Sequence, residues 1–334
     1  MGDLFLDRYL ELAPNVRELS VETGLEAYQV ERVRNAAGAL GTVLNNLAAL
    51  GVGLLVPVTV IGDDGHGFDL VREVRRLPVD TAHILGDPTR LTPTYTKPLR
   101  RDETGSWQEL NRLDVRTRGP LSSEVTKLAC DRIEQVWSTS DGMIVLDQMV
   151  ERNWGVINDT VRDFLAELAR RDPARLMYVD SRAHLGRFES CSLKGNRSEI
   201  LRAAEFLTGG AEVGANVGVG AGARDDDEQQ RAAIEALGRL VARTGRTGFC
   251  TCGERGILVG VPGNAPKLVP GHRVAGPVDI VGAGDAATSG IVTGLLAGAT
   301  PLEAAALGNI VASITVQQIG TTGTASPDQV RARW

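Results

Sequence analysis

Gly282-Ala283-Gly284-Asp285 gathers the residue types best suited to chemistry in this 334-residue chain. Three small residues leave the backbone bare, so successive N–H groups can converge on one anion. A helix starting there adds the positive end of its dipole. A carboxylate at Asp285 can then take the proton of a hydroxyl as that hydroxyl attacks phosphorus. The plainer reading is a helix cap after a flexible turn, which a lone Gly-x-Gly with an Asp usually is. Asn196 and Glu199 carry a similar ambiguity. Their three-residue spacing suits a capping box, and also a polar pair facing a metal-bound phosphate; alone, it favours capping. Thr251-x-Gly253-x-x-Gly256 is a small-residue turn between two apolar runs.

The elements that must position these residues alternate along the chain. Leu40, Val43, Leu44, Leu47 and Leu50 have helical spacing, closed by Gly51. Residues 54–61 form a continuous apolar run, read as one buried parallel strand before a turn at 62–67 and a helix over 68–79. Short strands at 143–146 and 176–179 end in Asp147 and Asp180, with an amphipathic helix over 154–170 between them. Helices over 200–207, 229–244 and 302–318 and strands over 248–252 and 257–261 continue the pattern. The apolar run 278–281 enters the glycine turn, and 291–297 reads as the helix leaving it. The alternation predicts an α/β fold with a doubly wound, mainly parallel sheet flanked by helices.

Two segments interrupt it. Residues 11–34 are polar, with short strand signals at Leu19, Val21 and Tyr28, and residues 92–115 read as a hairpin turning at 102–105. Both are candidate parts of a small β lid. The glycine-rich stretch 208–230 lacks the Lys-Ser/Thr of a phosphate loop and carries an acidic run, so it reads as a surface loop. Residues 2–9 read as a loop leaving a strand end, with the first strand either absent or upstream of the start. With no clear linker, residues 1–334 are read as a single domain.

Composition narrows the function classes. Hydrophobic content of 43% and charged content of 23% are those of a globular protein. The net charge of −6 argues against nucleic acid as a partner. No apolar run has membrane-spanning length and the start lacks a signal-peptide pattern, so no membrane association and a cytoplasmic location are expected. Cys130, Cys191, Cys250 and Cys252 read as buried thiols, and the four histidines have no zinc spacing.

Taken together, the motifs resemble those of the ribokinase/PfkB family of sugar kinases over nearly the whole chain. The family's Asp-Thr-x-Gly-Ala-Gly-Asp signature is matched by Asp279-Ile280-Val281-Gly282-Ala283-Gly284-Asp285, its Asn-x-x-Glu motif by Asn196 to Glu199, and its Thr-x-Gly-x-x-Gly motif by Thr251 to Gly256. The heptose-phosphate kinase branch is the nearest in pattern, through Gly2-Asp3-x-x-Leu6-Asp7-Arg8-Tyr9, Thr94-x-Thr96-Lys97, Arg112-Leu113-Asp114 and Ile319-Gly320-Thr321. The resemblance implies a ribokinase-like fold and transfer of the γ-phosphoryl group of ATP, with Mg²⁺, to a sugar or sugar-phosphate hydroxyl. It implies Asp285 as catalytic base and the backbone of Gly282, Ala283 and Gly284 as the anion hole. Asn196 and Glu199 would organise Mg²⁺, Glu199 mainly through water. Thr251, Gly253, Gly256 and Asn309 would line the nucleotide, and Asp7, Gly38, Thr42, Lys97, Arg112 and Asp279 the sugar. The family pattern also leaves room for K⁺ and for a homodimer formed through the lid.

Three departures bear on the substrate. Thr42 stands where the family's first signature has a sugar-binding Asn, Ile280 replaces the hydroxyl-bearing Thr of the second, and Leu146-Asp147-Gln148 lacks the Lys of the heptose branch. Phosphoryl transfer rests on positioning and charge neutralisation, so activity is expected to survive a changed sugar pocket. Lys97, Arg100, Arg101 and Arg112 supply charge for a sugar phosphate, although exposed basic residues usually form a solvated face. A binding protein without turnover is the alternative. A nicotinamide-dependent dehydrogenase is a poorer fit, since the early strand-turn-helix has no Gly-x-Gly-x-x-Gly.

Overall fold

The computed structural model describes residues 1–14, 16, 18–210, 226–320 and 322–334. Its first half runs β1 (Leu4–Leu12), β2 (Glu18–Leu19), β3 (Glu26–Ala27), β4 (Val30–Ala39), α1 (Leu40–Ala49), β5 (Thr59–Gly62), α2 (Gly65–Val74), β6 (Ile84–Asp87), β7 (Thr94–Arg101), β8 (Trp107–Glu109) and β9 (Leu113–Val115). There follow α3 (Ser123–Thr139), β10 (Gly142–Asp147), α4 (Asp159–Arg171), β11 (Leu176–Ser181), β12 (Ser192–Asn196), α5 (Arg197–Leu207) and α6 (Asp226–Thr244). The chain closes with β13 (Gly248–Thr251), β14 (Gly256–Gly260), β15 (Lys267–Pro270), α7 (Ala283–Leu296), α8 (Pro301–Thr315) and α9 (Pro327–Arg333).

Strands β10 to β15 form one six-stranded sheet in chain order, parallel from β10 to β13 and antiparallel beyond. Apolar side chains leave both faces, so both need cover. Val145, Val179, Leu193 and Leu258 share a core with helices α3 to α6, whereas Tyr178, Phe249, Ile257 and Val259 pack with Ala287 and Ile291 of α7 and Ala304 and Ala305 of α8. Small residues let α7 and α8 approach closely: a Cβ on Gly290 would stand 2.9 Å from the Gly308 Cα. Strands β5 and β6 form a separate parallel pair. The Gly2 N–H donates to Val58 O, just before β5, and the Asp3 N–H to Leu146 O of β10, so residues 1–3 join that side of the molecule to the main sheet.

The remaining strands build an outlying sheet in the order β4-β1-β7-β8, with β9 also beside β7. β1 is antiparallel to β4 and parallel to β7. The predicted hairpin of residues 92–115 is present as β7 and β8, turned at Asp102, whose carboxylate accepts from the Thr104 and Ser106 N–H groups.

Several expectations need correction. Residues 4–12 are a strand, not a loop, because β4 and β7 satisfy the backbone on both edges. The run 54–61 is not one strand: Pro57 has no N–H to give a ladder, Leu55 forms only a bridge with Val79, and β5 begins at Thr59. Helix α2 starts earlier than read, capped by the Asp64 carboxylate, and ends at Val74. Helix α4 starts later, where Asn158 caps it, and α8 runs from Pro301 to Thr315. The apolar run 278–281 does enter the glycine turn, but its Val278, Ile280 and Val281 side chains are exposed. Most of the glycine-rich stretch, at 211–225, and Thr321 lie outside the described residues.

Candidate active site

Parallel strands deliver their C-terminal ends to one edge of a sheet, where ligands of α/β proteins collect. Here β11 brings Asp180, β12 brings Lys194 and Asn196, and β13 brings Thr251; the register pairs Asp180 with Lys194 and Asn196 with Thr251. Helix α7 begins at the same edge. Its Thr288 hydroxyl donates to Asp180 Oδ2 over 3.2 Å, and a Cβ on Gly284 would lie 3.2 Å from Lys194 Nζ.

Gly282 caps α7 with φ 79°, a left-handed conformation that glycine adopts without strain. A Cβ at Gly282 would touch Thr42 Cγ2 of α1 at 3.5 Å, so the first signature lies against the second. Asp285 sits half-buried in the first turn of α7. Burial, reinforced by the charge of Asp180, pushes its carboxyl up to about 7, while Lys194 and Arg182 pull the other way. A carboxyl that titrates near neutrality is matched to accept and release a proton.

Asn196 and Glu199 form a full capping box on α5: Asn196 Oδ1 accepts from the Glu199 N–H at 2.9 Å, and Glu199 Oε2 from the Asn196 N–H at 2.7 Å. The structure therefore keeps the capping reading and adds a charge environment to it. Burial and then Asp180 raise the Glu199 pKa, against Lys194. In the next turn Gly253 has φ 60° and Gly256 φ 107°, and a Cβ at Gly256 would fall 2.1 Å from Val269 O, so only glycine fits there. Asn309 donates to Val269 O and Pro270 O at 3.1 and 3.0 Å, tying α8 to β15. Asp279 accepts from the Val281 and Gly320 N–H groups, each at 3.1 Å.

A second cluster lies on the outlying sheet. Lys97 Nζ is 2.8 Å from Asp7 Oδ1 and 4.9 Å from the Tyr9 ring centre. A Cβ on Gly38 would meet Asp7 Oδ2 at 2.5 Å, which makes glycine the residue that admits this carboxylate. Arg112 grips Asp114 with two bonds, of 2.6 and 2.9 Å, and lies over Tyr95. Arg100 pairs with Glu26, and Arg101 stacks on Trp107. The four basic residues grouped in the sequence reading thus each have their own local partner.

The site holds charged residues that the sequence reading passed over. In sequence Asp180 reads only as a strand end, and Lys194 stands just ahead of the Asn196–Glu199 pair with no role of its own. The available signal was a lysine inside Ser192-Leu193-Lys194-Gly195, a strand covered on both faces. Among the described residues no three His, Cys, Asp or Glu side chains gather as a metal-binding group, so Glu199 has no acidic companions in a cage. No described helix is long and apolar enough to cross a membrane.

Comparison with known proteins agrees with this geometry. Residues 193–329 match the pfkB family carbohydrate kinase profile. The chain is 30% identical over 337 residues to the bifunctional protein HldE of Pelobacter propionicus, an alignment covering 99% of this chain and 62% of that protein. It therefore spans about three fifths of such relatives. Among solved structures it is similar to ribokinase from Cryptococcus neoformans in complex with ADP (TM-score 0.65, 19% identity, 100% of this chain and 97% of the other). Arabidopsis thaliana ribokinase complexed with ribose and ATP is similarly close (TM-score 0.66, 17% identity, 99% and 96%). The family match thus lies in residues 193–329, pfkB family carbohydrate kinase by description, and the chain as a whole has the ribokinase-like α/β fold of these structures.

Proposed function

We propose that residues 1–334 act as one ATP-dependent kinase domain that phosphorylates a hydroxyl of a sugar or sugar phosphate, with a heptose 7-phosphate-like acceptor as the finer reading. One observation carries this: Asp285, its carboxyl pushed up to about 7 by burial and by Asp180, stands in the first turn of a helix capped by Gly282, with only Ala283 and Gly284 between them. In this reading Asp285 takes the acceptor's proton, and the backbone of residues 282–284 holds the charge that develops on the transferred phosphoryl group. Thr251, Gly253 and Gly256 border the nucleotide, and Asn309 fixes the wall beside it. Asp7, Gly38, Thr42 and Asp279 serve the sugar. Glu199 and Asn196 face the phosphates, where Mg²⁺ bound to ATP oxygens and water would neutralise charge. K⁺ is a further cation to be tested by substitution.

The sheet carrying Asp7 and Lys97 serves as the lid. A phosphate on the acceptor has to compete with Asp7 for Lys97, so an acceptor that hydrogen-bonds to Asp7 and carries an anion beyond it uses both groups. Leu19, Val21, Leu25, Tyr28 and Val33 are exposed on this part of the chain, which supports a homodimer joined through the lid. Cytoplasmic ATP is the donor in this account. A binding-only role is the second reading, favoured by Ile280, an exposed apolar side chain where the family carries a hydroxyl.

The deciding experiment measures ADP release from MgATP across a panel of sugars and sugar phosphates, with wild type beside Asp285→Asn. The kinase reading expects release with at least one acceptor, cut by about 10²–10⁴-fold in the variant. Release that no acceptor stimulates, or that the variant leaves unchanged, favours the binding reading.

A further inference from the structure

Lys194 is a buried cation that the family motifs leave without a role. Its ammonium is 2.7 Å from Asp180 Oδ2, and both side chains are almost wholly enclosed. The Thr288 hydroxyl donates to the same Asp180 oxygen from α7, so the pair is held from a strand on one side and a helix on the other. An ammonium has three donors. The one bond to Asp180 leaves donors to spare, and a Cβ on Gly284, the last small residue before Asp285, would lie 3.2 Å from Nζ. A buried charge costs several kcal/mol unless it is compensated. A Met or Leu would fill the same space without that cost, so packing alone does not account for a lysine here.

We propose that Lys194 is the electrostatic positioning residue of the phosphoryl-transfer site: clamped by Asp180 against Gly284, it sets fixed positive charge beside Asp285 and the anion hole. This rests on the kinase reading given above. The charged groups acting on Asp285 are Asp180 and Arg182 from the end of β11 and Lys194 from β12, while Glu199 of α5 acts on Lys194. Asp180 and Lys194 oppose each other at Asp285. Burial works against the ammonium, but Asp180, Glu199 and Asp285 together hold its pKa above the ordinary lysine value, so it stays charged through the neutral range.

The test exploits that opposition. The Asp285 carboxyl is titrated by carbon NMR in the unliganded protein, assigned against Asp285→Asn. The acid limb of kcat/KM for MgATP-dependent phosphorylation is recorded alongside. Lys194→Met should move both upward by about one pH unit and lower kcat/KM at pH 7 by about tenfold, and Lys194→Arg should restore most of the loss. Asp180→Asn should move the Asp285 titration the other way, downward. Opposite shifts support the role, because a residue needed only for packing would lower activity in every variant and leave the titration where it was. No shift, or shifts in the same direction, would overturn it. If Lys194→Met does not fold, the sign of the Asp180→Asn shift decides. A wild type with no Asp285-dependent transfer would instead refute the kinase reading, and the NMR titrations would still judge the electrostatic one.

Discussion

In the proposed reaction Asp285 is the base, and its usefulness there depends on being costly to ionise. Its carboxyl is pushed up to about 7 by burial and by Asp180, so kcat/KM should fall about tenfold per pH unit below that value and level off above it. The same shift has a stability consequence with a definite sign. Below the unfolded carboxylate value of about 4 the group is protonated in both states; above it the unfolded chain releases a proton that the folded chain keeps. The stability held by the protonated form is therefore lost as pH rises through about 7. Asp285→Asn should melt higher than wild type at pH 8, with the gap shrinking toward pH 5. A gap that widens on acidification would contradict this environment for Asp285. Stability and activity would then move in opposite directions at one residue, as they often do where a site is built for function.

Among the elements, the β12–α5 junction caps a helix with Asn196 and Glu199, and the proposed reaction gives the same pair a second job. Asn196→Ala removes the cap on α5 and should cost about 1 kcal/mol in a denaturation experiment. Glu199→Gln keeps an oxygen for the Asn196 N–H but gives up the charge. It should leave the melting temperature near that of wild type while raising the MgATP concentration needed for half-maximal rate by tenfold or more. An unchanged requirement would return Glu199 to capping alone. This junction also marks how far the sequence was legible. The capping spacing, the glycine turns and the apolar strands β10, β11, β13 and β14 follow from local pattern, and each is present in the structure. Residues 4–12 were misread because a mixed strand with Asp, Arg and Glu is stabilised only by partners distant in the chain. The Asp180–Lys194 contact depended on the register of two parallel strands, which neither strand encodes by itself. Pro57 was visible but was outweighed by the apolar residues around it.

On the scale of the whole molecule, the sheet that carries Asp7 and Lys97 is joined to the core through residues 1–3, whose Asp3 N–H donates to Leu146 O, and through α1, which follows β4 directly. In the proposed dimer, exposed Val33 of β4, with Leu19, Val21, Leu25 and Tyr28 from the segment that joins β1 to β4, forms the surface on which a second copy would close. Sedimentation of the wild type should give a dimer, and Val21→Lys with Val33→Lys should give a folded monomer with weakened sugar affinity. A wild type that sediments as a monomer would leave the lid to close within one chain. The most direct test of the central assignment follows the labelled γ-phosphate of ATP onto an acceptor in single turnovers. We predict transfer to a sugar or sugar-phosphate hydroxyl by the wild type at pH 8, and transfer at least a hundredfold slower by Asp285→Asn with nucleotide binding intact. Equal transfer rates for the two proteins would contradict the account.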